Sequence, residues 1–165
     1  MLLTQDQEMI RDAVRDFARE QLWPHAARWD REHVFPREAH QGLAALGAYG
    51  ICVPEDLGGA GLDYVTLALV LEEIAAGDGA TSTAISVTNC PVNAILMRYG
   101  SDEQKDKVLR PAAQGAFIGA FALTEPRRRV RRELPEKLVG HEEGLGHVVV
   151  LARREHQRAA PQDHV

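Results

Sequence analysis

The alternation of apolar and polar positions divides this chain into helix-length blocks that give way to a different kind of sequence near residue 126. Thr4-Gln-Asp-Gln7 has the form of a capping box, in which a hydroxyl and a side-chain amide three residues apart satisfy each other's backbone donors. Behind it Met9, Ile10, Ala13, Val14 and Phe17 recur at helical spacing, with Asp12, Arg15, Asp16 and Arg19 on the other face. Pro24 ends this helix or opens the next as its first residue, and a weaker helix is expected over His25–Arg31, before the turn at Phe35-Pro36. Pro36–Leu46 reads as a third helix, with Ala39, Leu43 and Leu46 inward and Gly47 as its stop.

Val53-Pro-Glu-Asp-Leu-Gly-Gly-Ala-Gly61 is a loop, because three glycines and a proline within nine residues carry too much backbone entropy for regular structure. A glycine cluster can cradle a phosphate where it opens a helix. No strand leads into this one, and its spacing matches neither the dinucleotide nor the Walker pattern, so a tight turn between helices is the expectation. Asp63 is placed to cap the strongest helix, Tyr64–Ala76, whose core stripe is Leu67, Leu71, Ile74 and Ala75. Glu72 and Glu73 point about 100° apart on it, so they form no catalytic pair; one is expected in solvent and one partly buried.

After Gly77-Asp-Gly79 a helix is expected over Thr81–Tyr99, kinked at Pro91. Its Ser82, Thr83, Ser86, Thr88 and Asn89 are unusual for a core helix. They either bond back to the helix's own carbonyls or line a polar channel. Ser101-Asp-Glu-Gln104 is a second capping box, opening a helix with Val108 and Leu109 inward that ends over Pro111–Gly115. The apolar run Ala116–Thr124, bounded by Gly115 and Pro126, suits one buried β-strand. The expected fold class is therefore all-α: five or six helices with short connections in an antiparallel bundle, followed by one strand.

Composition adds limits. With 45% hydrophobic and 26% charged residues the 165-residue chain is an ordinary globular one, and no apolar run approaches the roughly 20 residues that span a bilayer. The N-terminus has no secretory pattern, and Cys52 and Cys90 make no disulfide framework, so a cytoplasmic setting is expected. Charge is uneven. Residues 1–126 hold 10 Lys/Arg against 18 Asp/Glu, whereas 127–165 hold 9 against 6. The latter segment carries eight Arg and four His but no Phe, Trp, Tyr, Ile, Met, Cys, Ser, Thr or Asn. Its apolar piece, Val148–Ala152, is one short strand at most, and the rest of this basic tail is expected to be largely disordered. The histidines lack metal-ligand spacing, and neither a nucleophile triad nor a metal cluster is present.

The close of the apolar run, Phe121-Ala-Leu-Thr-Glu-Pro126, resembles the F/Y-x-L/V-T-E-P signature of the flavin-dependent acyl-CoA dehydrogenases. Two further blocks stand in the same order as in that family: Val53–Leu62 running into Leu67–Ala75, and Tyr99-Gly-Ser-Asp-Glu-Gln-Lys105 followed by Pro111. The resemblance covers residues 1–126. It implies an N-terminal helical domain (1–115), the start of a flavin-binding β-domain (116–126) and a non-family tail (127–165). It further implies FAD as cofactor, with Phe121, Leu123 and Thr124 as flavin contacts, and Val87 and Pro91 lining the acyl pocket. Acyl-CoA is the implied substrate and an electron-transfer protein the acceptor. In the family a Glu from a C-terminal helical domain removes the α-proton while flavin N5 accepts the β-hydride, in an enzyme that is usually a homo-oligomer.

The family follows Thr-Glu-Pro with x-Ala-Gly-Ser-Asp, where this chain has Arg127-Arg-Arg-Val-Arg131. The chain thus reads as a truncated N-terminal part, lacking the catalytic Glu, expected to be inactive alone and to self-associate through its unpaired strand. Dropping the first base of the Arg127 codon, with CGN for Arg, permits Gly-Ala-Gly-Ser-Asp-Ala-Ser, so a frameshifted tail is the expectation and a genuine basic extension the alternative. The other function class is a non-catalytic helical interaction module with a nucleic-acid-binding tail; the acidic body speaks against nucleic acid.

Overall fold

The computed structural model describes residues 2–122 and 147–150. It is an all-α bundle whose last helix leads into a short strand. In chain order the helices are α1 (Gln5–Phe17), α2 (Trp23–Glu32), α3 (Arg37–Ala45), α4 (Tyr64–Gly77), α5 (Gly79–Val87), α6 (Ala94–Tyr99), α7 (Asp102–Gln104) and α8 (Arg110–Ala113). Strand β1 (Gly119–Ala122) pairs antiparallel with β2 (His147–Val150), Gly119 opposite Val150 and Ala122 opposite His147. No described helix is long and apolar enough to cross a membrane.

The ends of these helices follow from local chemistry. Both capping boxes form: Thr4 with Gln7 before α1, and Ser101 with Gln104 before α7. Asp63 caps α4 through the N–H and hydroxyl of Thr66, at 2.8 and 2.7 Å. Asp78 caps α5 in the same way through Thr81, which starts that helix two residues earlier than its sequence pattern suggests. Gly47 and Gly115, at φ 75° and 73°, close α3 and α8 with paired reverse bonds, Ala48 N–H to Leu43 C=O and Ala116 N–H to Pro111 C=O being the longer-range ones. The second closure delays the strand, which begins at Gly119 and not at Ala116.

Three π-helical turns occur among the described residues: Ala18–Leu22 between α1 and α2, Thr88–Asn93 between α5 and α6, and Lys105–Leu109 before α8. Each contains a proline or precedes one by two residues: Pro24, Pro91 and Pro111. A proline inside a helix lacks its N–H and collides with the carbonyl four residues back, and a turn widened by one residue relieves both problems.

Packing builds two apolar clusters. The first joins Val14, Leu22, Leu43, Leu67, Ile74 and Ile85, drawn from α1, α3, α4, α5 and the first π turn. The second joins Val53, Val92, Leu96, Val108, Leu109 and Ala113. Ile10, Phe17 and Leu71 lie at the edge of the first, half-buried. Four residues expected inward are exposed: Met9, Ala13, Leu46 and Ala75. Met9, Ala13 and Ala75 sit one position from buried or half-buried members of the stripe, about 100° round the helix. Leu46 lies past the end of α3, in the closing turn, where the helical phase no longer applies.

α4 and α5 form an antiparallel hairpin, with Ser82 Oγ donating to Leu71 C=O at 2.9 Å. α1 lies along α4, joined at one end by Gln7 to Asp63 (3.3 Å) and at the other by Arg15 to Glu73. Glu72 is exposed and Glu73 half-buried, as expected from their helical positions. Gly77 permits close passage under the first π turn, since a Cβ there would stand 2.9 Å from that of Leu22. The glycine-rich loop is a closed turn. The backbone N–H groups from Leu57 to Leu62 all donate to carbonyls of residues 50–55, which leaves none to cradle a phosphate.

Candidate functional site

The π turn Thr88–Asn93 and the strand β1 meet at one place. Pro91 widens the turn, and its polar neighbours fasten it on two sides. Asn89 accepts from Ile51 N–H at 3.1 Å and donates to Ala48 C=O at 2.8 Å and to Ile85 C=O at 3.1 Å. Asn93 donates to Tyr49 C=O at 2.8 Å, while its Oδ1 is buried without a partner among the described residues. The polar positions on this helix therefore bond to backbone, both within the helix and across to residues 48–51. On the other side Thr88 donates to Ala84 C=O at 3.0 Å and accepts the N–H of Gly119 at 3.1 Å, so its hydroxyl joins the helix to the first residue of β1.

Gly119 is required by this contact. A Cβ there would lie 2.8 Å from Val92 Cγ2, well inside van der Waals distance. The Gly119 N–H faces Thr88 and so points away from β2. In an antiparallel ladder the outward-facing groups belong to alternate residues. With Gly119 opposite Val150 and Phe121 opposite Val148, the N–H and C=O of Phe121 face the same outer edge, about 7 Å further along at 3.4 Å per residue.

Of the residues singled out from the sequence, Val87 ends α5, half-buried against the second cluster, and Pro91 lies half-buried in the π turn. Phe121 is in β1. Leu123, Thr124 and the Arg127–Arg132 run lie outside the described residues, as does most of the tail expected to be disordered. The strand expected to stand alone is paired on one edge by β2. Sequence reading missed Gly119 and Asn93. A glycine within a β-rich apolar run and an Asn between Val92 and Leu96 were the available signals, the former marking close backbone approach.

No cluster of His, Cys, Asp or Glu among the described residues could hold a metal. Cys52 and Cys90 are half-buried free thiols, and burial, reinforced by the neighbouring Cys90 and Asp63, pushes the Cys52 thiol up. A separate groove of about 540 Å³ opens between α2 and α3, lined by Trp29, Phe35 and Arg37 among others, and includes neither the π turn nor β1. The β1 edge thus offers backbone hydrogen-bonding groups beside a partly apolar helix wall, and among the described residues the Thr88–Asn93 turn and β1 carry no acidic or basic side chain.

The family model for the acyl-CoA dehydrogenase N-terminal domain matches residues 4–116. The human mitochondrial short-chain specific acyl-CoA dehydrogenase is 41% identical over 124 residues, covering 75% of this chain and 30% of the human protein. Butyryl-CoA dehydrogenase from Megasphaera elsdenii superimposes with a TM-score of 0.71 at 30% identity, over 76% of this chain and 34% of that one. A glutaryl-coenzyme A dehydrogenase in complex with glutaryl-CoA gives a TM-score of 0.73 at 32% identity, over 77% and 33%. The chain spans about a third of the length of these relatives. The chain belongs to the acyl-CoA dehydrogenase family and contains its N-terminal helical domain.

Proposed function

We propose that this chain forms the N-terminal helical wall, and the first strand of the flavin-binding domain, of an FAD-dependent acyl-CoA dehydrogenase. The observation that carries the reading is the outer edge of β1, which meets the helix at Thr88 and Val92, each one position along from Val87 and Pro91. An isoalloxazine ring has alternating donors and acceptors along one rim and fits such an edge. Phe121, Leu123 and Thr124 are the residues proposed to hold it, with Val87 and Pro91 beside the acyl chain. Bound FAD supplies the hydride acceptor for α,β-dehydrogenation of an acyl-CoA thioester. The chain's own part is to bind and orient the ring's rim and to exclude water with the apolar wall. The general base is assigned to no residue described here; Glu73 in particular is spent on Arg15.

The acceptor of this reading is an electron-transferring flavoprotein, the class named for a structure from Acidaminococcus fermentans that matches at 37% identity and a TM-score of 0.72. Its compartment is cytoplasmic, supported by the free thiols. Residues 127–165 are a frameshifted tail, which sequencing the gene across codon 126 would test. An intact frame, with no glycine-serine-aspartate in the shifted reading, ends that part.

The chain by itself is expected to hold FAD only weakly and to oxidise no acyl-CoA, since a general base alone contributes about 10²–10⁴-fold. Flavin absorbance of the purified chain, and reduction of an artificial acceptor with acyl-CoAs of different length, are the measurements. A stoichiometrically yellow preparation with dehydrogenase activity would overturn the assignment of the base.

A further inference from the structure

The outer edge of β1 has two backbone positions in register, and Thr88 occupies the first. Its hydroxyl is fully buried, donates to Ala84 C=O and accepts Gly119 N–H. Because the donor proton is committed to Ala84, the oxygen lone pairs face the strand, and only an N–H can approach there. Gly119 meets that demand at the one position where β1 touches Val92 without a side chain. The bond joins residues 31 apart in the chain, and β1 packs against both α5 and the π turn. Sliding the strand by one residue would bring Ile118 or Ala120 against Val92 and turn the Phe121 groups to the opposite edge.

We propose that Thr88 is a positioning residue for the cofactor edge. By holding Gly119 N–H it fixes which β1 groups face outward and how far the Phe121 N–H stands from the π turn that carries Pro91. This rests on the flavin reading above for its ligand, though the pinning of the strand stands on geometry alone. It also makes Thr88, Ala84 and Gly119 one unit: a hydroxyl anchored on a helix carbonyl, presenting an acceptor to a strand.

The experiment uses the full chain, labelled with ¹⁵N, as the native sequence and as Thr88→Val and Thr88→Ser. Valine keeps the shape and removes the acceptor, whereas serine keeps the hydroxyl. Amide hydrogen exchange at Gly119, whose N–H the Thr88 hydroxyl holds, is expected to quicken at least tenfold in Thr88→Val and to return to within about threefold of native in Thr88→Ser, with Leu67 and Ile74 unchanged. Equal exchange in native and Thr88→Val would overturn the proposal. Should the valine variant not fold, the native chain decides: a cross-peak between the Thr88 hydroxyl or Hβ and the Gly119 amide is required, and its absence sinks the idea. FAD is then titrated into each. The Phe121 amide is expected to shift in the native and serine chains, with an apparent Kd at least fivefold weaker in Thr88→Val. If FAD moves no β1 amide in the native chain, the flavin reading fails while the exchange data still decide the pinning. Equal FAD affinity in all three chains would reduce Thr88 to a structural contact and overturn its positioning role.

Discussion

Arg15 grips Glu73 with two bonds, Nη2 to Oε1 at 2.6 Å and Nε to Oε2 at 3.0 Å, and so ties α1 to α4 across 58 positions of chain. The fork of the guanidinium matches the carboxylate, which gives this pair direction as well as charge. The hydrogen bond to Glu73 also raises the Arg15 pKa. A double-mutant cycle with Arg15→Met and Glu73→Leu should be non-additive. Each single change lowers the urea midpoint, and the pair together lowers it by less than the two effects added. Strict additivity would mean that the clamp holds nothing.

Core position and flank position differ sharply on the same helices. Ile74→Ala should cost about 2–5 kcal/mol, because a fully buried side chain is removed from a packed cluster. Leu71→Ala should cost less, since Leu71 is half-buried at the edge of that cluster. Met9→Ala should change stability by under about 0.5 kcal/mol, Met9 being 64% exposed. Denaturant unfolding of the three variants checks the order, and a large loss at Met9 would reverse the face assigned to α1.

Asn89 serves the Ile51 N–H and the Ala48 C=O, which lie outside its own helix. Asn89→Leu leaves the Ile51 N–H and the Ala48 C=O without their partner, and each orphaned group costs about 1–3 kcal/mol. A midpoint shift no larger than that of Thr83→Ala, an exposed position, would contradict these bonds.

His40 gives a pH dependence with a definite sign. It is buried, stacked on Phe35 at 4.7 Å and bonded through Nδ1 to the Tyr49 hydroxyl at 2.5 Å. Burial lowers its pKa from 6.5, while Asp78 pulls weakly the other way. Tyr49, whose own pKa burial pushes up, stays a neutral partner. The folded state therefore binds the His40 proton less readily than the unfolded one. Stability from this group is complete above about pH 6.5 and falls as pH drops from there towards the lowered folded value. Between pH 7.5 and 5 the native chain should lose more stability than His40→Phe. Identical losses would place a charged imidazole in the fold.

Much of this architecture was legible in the sequence, and the reasons are local. Thr4, Asp63 and Ser101 announce helix starts because capping is decided within four residues, and Gly47 announces a stop for the same reason. The Leu67–Leu71–Ile74 stripe is visible because helical spacing survives without knowledge of the partner. The role of Asn93 and Gly119 was not visible. Asn93 meets Tyr49 across 44 positions, and Gly119 meets Val92 through a contact defined only by what a side chain would strike. Likewise nothing local marked His40 as the residue that Tyr49 and Phe35 close around. Such pairings depend on where distant segments come to rest.

A π turn inserts one extra residue into a helix, which rotates everything beyond it by about 100° relative to what precedes it. The turn at Thr88–Asn93 thereby acts as a phase shifter. Ile85, before it, faces the first apolar cluster, and Val92 and Leu96 face the second. One polypeptide axis serves two cores with no break in the backbone. Removing a single residue from the turn, Cys90 for instance, would restore the ordinary helical count and swing Leu96 away from Leu109, uncoupling the two halves of the bundle. The widened turn is thus what allows a wall built for one interior to continue into another.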